Sequence, residues 1–324
     1  MKMLSLSVFK HCIKVISMKF SIIAPVRNME PWLAKAIESV LIQEGDFEIE
    51  YILQDGASTD NTVAIFESYR EKLERGEIPI RCKSITMRSF SEKDNGPFDA
   101  INKGFTHATG DIYTWADGDN TYEPGAFDAV AKTFVAFPDV KWLHGITNGM
   151  NERWEKTSYG VCRIYKQDWL QLGIYSQEAY PTSQNGMFWR RKLWEEVAPI
   201  PTKFRVSGDY WLWMNMAKHA PLWSLNVPIG YFMRRVGQAH TLGGYKEEQW
   251  MARPRRSLRA WGARLFFSPQ SRLGPRFEHF FLWLYPFMYR NVESMIYIDI
   301  VGGVPVKKKA MTYQCDPKHD KTLK

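Results

Sequence analysis

Short apolar runs alternate with amphipathic stretches in the first part of the chain. The run FSIIAP, residues 20–25, is continuous, apolar and short, and it predicts a buried parallel strand. A polar loop follows, and Pro31 then begins a segment with helical periodicity. The apolar face of this predicted helix consists of Leu33, Ile37, Val40 and Leu41.

The same order of elements is repeated directly afterwards. The run IEYILQ, residues 49–54, predicts a second buried strand that ends before Asp55. A turn rich in Gly, Ser, Thr, Asp and Asn leads into a helix through Lys72, for which Thr59 or Asp60 is the expected N-cap. Repetition of strand, loop and helix predicts an α/β domain with a doubly wound, mostly parallel sheet.

Weaker patterns predict the remaining elements. Up to residue 140 they are a strand at 81–86, a helix at 97–107, a strand at 111–116 and a helix after Pro124. Beyond that point the periodicity is less regular, and it indicates short strands and loops at 141–165, helices at 192–197 and 209–218, and a strand at 229–235. There is no internal repeat.

We divide the chain into four parts. They are an N-terminal extension at 1–18, a first α/β subdomain at 19–145, a second subdomain at 146–250 and a C-terminal amphipathic extension at 251–324. Lysines interrupt the apolar runs of residues 1–17, so we expect neither a secretory signal nor a role in the fold for this segment.

The C-terminal extension combines positive charge with aromatic side chains. Much of the formal net charge of +8 comes from Arg253–Arg276 and Lys307–Lys309. The positive charge is therefore a property of the tail, and we expect no nucleic-acid partner. The aromatic run HFFLWLYPFMY between them is too short and too interrupted to span a bilayer. One interpretation is an interfacial helix within 251–300 on an anionic membrane; the other is a helical arm that packs on the α/β domain or on a second subunit of a homodimer.

The cysteines argue for a reducing compartment. Cys12, Cys82, Cys162 and Cys315 are far apart and share no CxxC or Cys/His spacing, so we expect neither a disulfide framework nor a zinc site. The expected location is the cytoplasm or the cytoplasmic face of the inner membrane.

Aromatic residues make up 15% of the chain and include 13 Trp. Such a surplus is typical of stacking surfaces for sugars or bases and of membrane-interface belts. Trp189, Trp211 and Trp213 are candidate platforms for an acceptor, although the helical spacing of Trp213 after Asp209 favours a place in the core.

Three polar clusters follow predicted strands, at Pro25–Asn28, Asp55–Ser58 and Asp117–Asn120. In an open parallel sheet, ligands bind beyond the carboxyl ends of the strands, so the clusters predict one ligand site. Asp55 can accept hydrogen bonds from a nucleobase or ribose, or it can serve the turn alone.

The sequence Asp117-Gly118-Asp119 places two carboxylates on one short loop. Bare carboxylates would repel a nucleotide diphosphate, and a divalent cation such as Mg²⁺ or Mn²⁺ held between them removes this conflict. The alternative is an ordinary solvated acidic turn.

Several longer stretches together resemble one enzyme family. Those stretches are FSIIAPVRN, YILQDGASTDNT, SEKDNGPFDAINKG, GDIYTWADGDNTYEPGAF, GMFWRRKLWEEV and VSGDYWLWMNMA. In this order, over residues 19–240, they resemble the family 2 inverting glycosyltransferases of the GT-A fold, in particular the branch that builds bacterial surface polysaccharides. The resemblance implies a GT-A Rossmann-like sandwich, with nucleotide-sugar binding in 19–145 and acceptor binding and the catalytic base in 146–250.

The resemblance also implies roles for individual residues. The nucleotide-binding residues would be Pro25, Arg27, Asn28, Asp55, Ser58, Asp94, Asn95, Lys103 and Asp117. The metal ligands would be Asp119, Asp117 and His240, although a lone His is more often a structural donor. The branch usually has two adjacent acids at the end of the acidic loop, whereas this chain has Asn120 as the second residue, so the metal would depend mainly on Asp119.

Inverting transfer requires a general base for the acceptor hydroxyl. The resemblance assigns this role to Asp209 in Ser207-Gly208-Asp209-Tyr210, while its position alone is also that of an N-cap. Arg234 and Arg235 are candidates for clamping phosphates.

The expected function is transfer of a sugar from a nucleotide diphosphate donor, UDP-sugar favoured, to a saccharide acceptor, with a lipid-linked acceptor expected. The alternatives are a non-catalytic nucleotide-sugar-binding protein and a sugar-phosphate nucleotidyltransferase, whose Gly-rich loop is missing after Pro25.

Overall fold

The computed structural model describes residues 18–175, 183–235, 238, 243–253, 296–310, 315 and 321–322. The strands are β1 (Met18–Val26), β2 (Glu44–Asp55), β3 (Arg81–Ser91), β4 (Ile112–Trp115), β5 (Thr121–Tyr122), β6 (Trp142–Asn151), β7 (Lys156–Ser158), β8 (Met187–Arg190), β9 (Trp223–Arg234), β10 (Ile296–Val301), β11 (Val304–Lys309) and β12 (Lys321–Thr322). The helices are α1 (Glu30–Leu41), α2 (Thr62–Glu74), α3 (Pro97–Thr106), α4 (Ala126–Ala136), α5 (Gln167–Gln171), α6 (Arg191–Val197), α7 (Gly208–Met216) and α8 (Tyr245–Ala252).

One large sheet runs through the described residues in the order β12-β11-β10-β9-β6-β8-β4-β1-β2-β3. Strands β4, β1, β2 and β3 are parallel neighbours, as are β6, β9 and β10, while β8 runs antiparallel between β4 and β6. The predicted α/β class with a mostly parallel sheet is confirmed. Because β1 and β4 are adjacent and parallel, the loops after them open at the same edge of the sheet.

The predicted strand at 81–86 is in fact the longer β3, paired with β2 from Glu44 to Asp55. Two residues of β3, Ile85 and Met87, are buried and the others are exposed or half-buried, so the strand has no continuous apolar run.

The tryptophans mainly fill the core. Trp115 and Trp213 stack with ring centroids 5.4 Å apart, and Trp189 lies edge-on at 5.3 Å from Trp115. Trp189 and Trp213 are only 1% and 2% exposed, so the prediction that they are acceptor platforms is wrong, while the core position favoured for Trp213 is confirmed. Trp211 is partly buried against the same cluster.

The first two helices cap each other. The N-cap position of α2 is Asn61, whose side chain makes no cap hydrogen bond. Of the two expected caps, Asp60 does act on this helix start, because its Oδ1 accepts the Thr62 N–H at 3.0 Å. Two hydrogen bonds join the loops before the two helices. The Asn61 backbone N–H donates to Glu30 Oε2 at 3.0 Å, and the Glu30 N–H donates to Asp60 Oδ2 at 3.1 Å. The Met29 N–H donates to a threonine hydroxyl of α2 at 2.7 Å. The N–H groups of Glu30 and Asn61, at the starts of the two helices, thus find acceptors across the gap between the two loops.

The C-terminal region departs from the helical prediction for 251–324. Residues 296–309 form the antiparallel pair β10 and β11, and β10 continues the sheet beside β9 through Ile298 and Leu225. Residues 1–17 and 254–295, which include the aromatic run, lie outside the described residues. Within the described part of the chain, no helix is long and apolar enough to cross a membrane.

Candidate active site

A cavity of about 750 Å³ opens at the carboxyl ends of β1 and β4. The predicted site residues that line it are Pro25, Arg27, Asp117, Asp119 and Asp209. The predicted residues that do not line it are Asn28, Asp55, Ser58, Asp94, Asn95 and Lys103. His240 lies outside the described residues. The fold therefore brings the acidic turn and the predicted base to one cavity, although they are far apart in sequence.

Asp119 is the buried member of the acidic turn, with 2% of its surface exposed. Its Oδ2 accepts hydrogen bonds from Arg235 Nε at 2.7 Å and from Gln238 Nε2 at 3.2 Å. Its Oδ1 has no hydrogen-bond partner among the described residues. A buried carboxylate oxygen without a partner is costly in water-free surroundings, so Oδ1 is ready to bind a donor or a cation.

The other acid of the turn, Asp117, has a raised pKa. Burial raises its pKa to about 7, and the negative charges of Asp119 and Asp209 act in the same direction. The Gln184 side chain donates to Asp117 Oδ2 and partly offsets this effect. Carboxylates crowded in this way favour any ligand that brings positive charge between them.

The acidic turn fits a divalent cation only with help from a substrate. No group of three or more acidic, His or Cys side chains that could hold a metal ion occurs within the described ranges. Mg²⁺ is commonly held by one or two carboxylates, with phosphate oxygens and water completing its shell. Asp119, through its free Oδ1, and Asp117 could supply these two carboxylates.

Asn120 replaces the further acid expected at this loop, and the structure gives the reason. Its side chain is 1% exposed, and its Oδ1 accepts the Met233 backbone N–H of β9 at 3.1 Å. Its amide nitrogen lies 3.5 Å from Asp117 Oδ2. Asn120 therefore ties the acidic turn to β9 without adding a third negative charge.

Asp55 is engaged by its own turn. It is fully buried, and its Oδ2 accepts the Ser58 backbone N–H at 2.9 Å and the Ser91 hydroxyl at 2.6 Å, while Oδ1 accepts the Ser58 hydroxyl. Ser58 Oγ in turn accepts the Asn28 N–H at 2.8 Å, and Asn28 Oδ1 accepts the Thr59 N–H at 2.9 Å. A ligand can reach Asp55 only if this network opens.

The stretch after β3 packs over the Asp55 turn. Asp94 Oδ1 accepts the Gly96 N–H at 2.8 Å, and its Oδ2 would lie 2.3 Å from a Cβ at Gly56. Lys103 Nζ donates to a backbone carbonyl at 3.0 Å and lies 3.1 Å from Glu92 Oε2, which holds it beside this stretch. A Cβ at position 56 would therefore push the Asp94 carboxylate away from this turn.

Asp209 is the second residue of α7, and the N-cap is Ser207, so the interpretation of Asp209 as the N-cap is wrong. The Asp209 side chain is 7% exposed, and its Oδ1 accepts the Tyr210 N–H at 2.7 Å. Burial raises its pKa to about 7, and the charge of Glu248 acts in the same direction. A buried carboxylate with such a pKa, in a cavity, is suited to accept a proton near neutral pH.

Sequence reasoning missed the amides of this cavity. Gln184 and Gln238 contact the acidic turn from loops without apolar periodicity, and neither side chain had been given a role from the sequence. Arg235 was singled out as a phosphate clamp. Its guanidinium also lies 4.3 Å from the ring centroid of Trp32, and this contact fixes its direction.

The sequence was compared with known families. Residues 21–196, just over half of the chain, match the profile of Glycosyl transferase family 2. The chain belongs to this family. The predicted family is therefore confirmed.

An uncharacterized glycosyltransferase of Nostoc sp. is 28% identical over 198 residues, which cover 59% of this chain and 57% of the relative. A PGL/p-HBAD biosynthesis glycosyltransferase of Mycobacterium bovis is 29% identical over 196 residues, which cover 59% of this chain and 66% of the relative. The family 2 chain thus spans less than two thirds of either relative.

Solved structures agree with the fold of this family 2 chain. TarS of Staphylococcus aureus, residues 1–349 in complex with UDP-GlcNAc, superposes with a TM-score of 0.53 at 17% identity, covering 84% of this chain and 78% of TarS. The complex of the same TarS segment with UDP gives a TM-score of 0.52. These likenesses confirm the predicted GT-A Rossmann-like architecture.

Proposed function

We propose that this protein is an inverting glycosyltransferase that moves a sugar from a nucleotide diphosphate sugar to a hydroxyl of a saccharide acceptor. The observation that carries the proposal is the shared cavity, which has the acidic turn on one wall and a buried carboxylate with a pKa near 7 on another. Membership of Glycosyl transferase family 2 supports it.

The donor would bind along the loops after β1 and β4. Arg27 and the Asp117–Asp119 turn line the cavity there, together with Arg234 and Arg235. Mg²⁺ or Mn²⁺ on the Asp119 and Asp117 carboxylates would neutralise the charge that develops on the leaving diphosphate. Arg235 would add a second positive charge beside it, and so strengthen the same effect. A UDP-sugar is favoured, since the structural relative TarS was solved with UDP and UDP-GlcNAc.

Asp209 would act as the general base. The acceptor hydroxyl would give its proton to the Asp209 carboxylate while its oxygen forms the bond to the anomeric carbon. The bond from that carbon to the diphosphate oxygen would break on the opposite face, so the configuration would be inverted. A pKa of about 7 leaves a useful fraction of Asp209 ionised at neutral pH and makes it basic enough to take the proton.

The acceptor is proposed to belong to cell-surface polysaccharide biosynthesis and to be lipid-linked. This proposal is supported by relatives whose names state PGL/p-HBAD biosynthesis and poly(ribitol-phosphate) β-N-acetylglucosaminyl transfer. A lipid-linked acceptor would agree with a cytoplasmic protein that docks on the inner membrane through 251–300. Self-association into a homodimer is the competing use of that region.

Thermal shift with nucleotide-sugars tests the donor. UDP-, GDP- and ADP-sugars are screened with and without MgCl₂ or MnCl₂, because a ligand at 100 times its dissociation constant stabilises the fold by about 2.7 kcal/mol. We expect one UDP-sugar to raise the melting temperature, and more so with the metal. The transfer assay then follows nucleotide release with acceptor saccharides. A donor that binds but is neither transferred nor hydrolysed would favour a non-catalytic sensor, and turnover of a nucleoside triphosphate with a sugar phosphate would favour a nucleotidyltransferase.

A further inference from the structure

Glu248 is a buried carboxylate that no step of the proposed reaction uses. It lies on α8, is 8% exposed and points at the loop that precedes α7. Its Oε1 accepts the Arg205 backbone N–H at 2.7 Å, and its Oε2 accepts the N–H groups of Val206 and Ser207, both at 2.9 Å. All three donors are successive main-chain groups immediately before the helix that carries Asp209.

This arrangement fixes the start of α7 from outside the helix. Ser207 is the N-cap of α7, and its hydroxyl donates to the Tyr245 carbonyl of α8 at 3.2 Å. A Cβ at Gly208 would lie 2.6 Å from the Phe98 ring, so the loop is packed closely from the other side as well. The backbone of residues 205–208 is therefore held between α8 and α3, and Asp209 follows directly.

The Glu248 carboxylate lies at the start of α7, where its oxygens accept three main-chain N–H groups and its negative charge is favourable to the helix. Glu248 puts a second negative charge near Asp209 and contributes to the raised pKa of that carboxyl. The three hydrogen bonds to its carboxylate oxygens are directional, and they compensate for burial of this side chain. The loop thus receives a rigid, charged anchor whose position determines where the Asp209 side chain enters the cavity.

We propose that Glu248 is a positioning residue that holds the loop 205–207 so that Asp209 faces the acceptor hydroxyl. The role rests on the proposed function of Asp209 as the base. Catalytic groups must be held within a fraction of an ångström of their working position, and a displacement of about 1 Å can reduce the rate about 100-fold.

The test compares Glu248→Gln with Glu247→Gln, a matched change at the exposed neighbour on the same helix. The glutamine keeps the size of Glu248 but offers one acceptor oxygen, so at least one of the three N–H groups would face its NH₂. We expect kcat for transfer to fall about 10- to 100-fold in Glu248→Gln. The dissociation constant of UDP should stay within twofold of wild type, and Glu247→Gln should match wild type in both measurements.

Hydrogen exchange on the ligand-free proteins supplies a readout that needs no turnover. Amides of residues 205–209 should exchange at least about tenfold faster in Glu248→Gln than in Glu247→Gln, because their acceptors are lost. Unchanged exchange in this segment would overturn the proposal, whether or not the wild type transfers sugar. Equal losses of kcat and UDP affinity would also overturn it, because they would show a general collapse of the cavity. Absence of transfer by the wild type would instead count against the proposed function.

Discussion

Asp209→Asn should abolish most of the activity and at the same time stabilise the fold at alkaline pH. The carboxyl has a pKa of about 7 in the folded protein and 3.8 when it is unperturbed. Between these two values the folded state binds more protons than the unfolded state, so the free energy of unfolding falls as the pH rises. Above about pH 7 the loss is complete, and a difference of about 3 in pKa corresponds to about 4 kcal/mol. Asparagine keeps an oxygen for the Tyr210 N–H and has no charge to bury.

Urea unfolding at pH 8 and at pH 4 measures this effect. We expect Asp209→Asn to be more stable than wild type by about 1 to 4 kcal/mol at pH 8. The difference should shrink to below about 1 kcal/mol at pH 4, where the carboxyl is protonated in the folded state and only partly ionised in the unfolded state. Loss of a general base should reduce kcat about 10²- to 10⁴-fold. The wild-type kcat should fall as the pH drops below about 7, since only the ionised carboxylate accepts the proton. A variant no more stable than wild type at pH 8 would refute the argument that burial raises the pKa of Asp209.

Three further substitutions test other parts of the structure. Asn120→Asp puts another negative charge beside Asp117, so without metal it should lower the free energy of unfolding by about 2 kcal/mol. MnCl₂ should restore part of this loss. Equal stability of the variant and wild type without metal would contradict the argument. Glu50, 3% exposed, has a lowered pKa because hydroxyl, backbone and lysine donors outweigh the opposing effect of burial. Glu50→Gln should therefore cost about 2 kcal/mol at pH 7, and the difference should shrink as the pH falls below 4.5, where the advantage of the ionised carboxylate is lost; a pH-independent difference would count against it. Gly56→Ala should displace Asp94 and weaken UDP binding about tenfold by calorimetry, and unchanged affinity would show that this contact does not shape the donor site.

The sequence predicted the parallel half of the fold because its signals are local. The apolar run of β1 and the face of α1 are contiguous or regularly spaced, and both elements occur where the pattern indicated them. The hairpin of β10 and β11 was missed. Its residues alternate weakly and contain three successive lysines. The buried Lys308 pairs with Asp299 on the partner strand, with 2.6 Å between Nζ and Oδ2. Such a pair becomes visible only when the two strands are placed side by side.

Residues of the candidate site could likewise be predicted from the sequence only where their signal is local. Asp117, Asp119 and Asp209 stand in short motifs, and the prediction that they belong to one site agrees with the cavity that they line. Gln184 and Glu248 act through tertiary contacts made across many residues of chain, and nothing in their neighbourhood in the sequence distinguishes them from surface residues. Composition alone could not show which tryptophans are buried. Trp189, expected on the surface, helps to fill the volume between β4, β8 and α7.

The mutual capping of α1 and α2 has a consequence for the design of chimeric proteins. Because Glu30 accepts from the Asn61 backbone while Asp60 accepts from the Glu30 backbone, neither loop is complete without the other. A graft that exchanges residues 25–30 alone and removes the Glu30 carboxylate leaves the Asn61 N–H at the start of α2 without its acceptor. Chimeras between family members should therefore transplant residues 25–30 and 55–62 as one cassette.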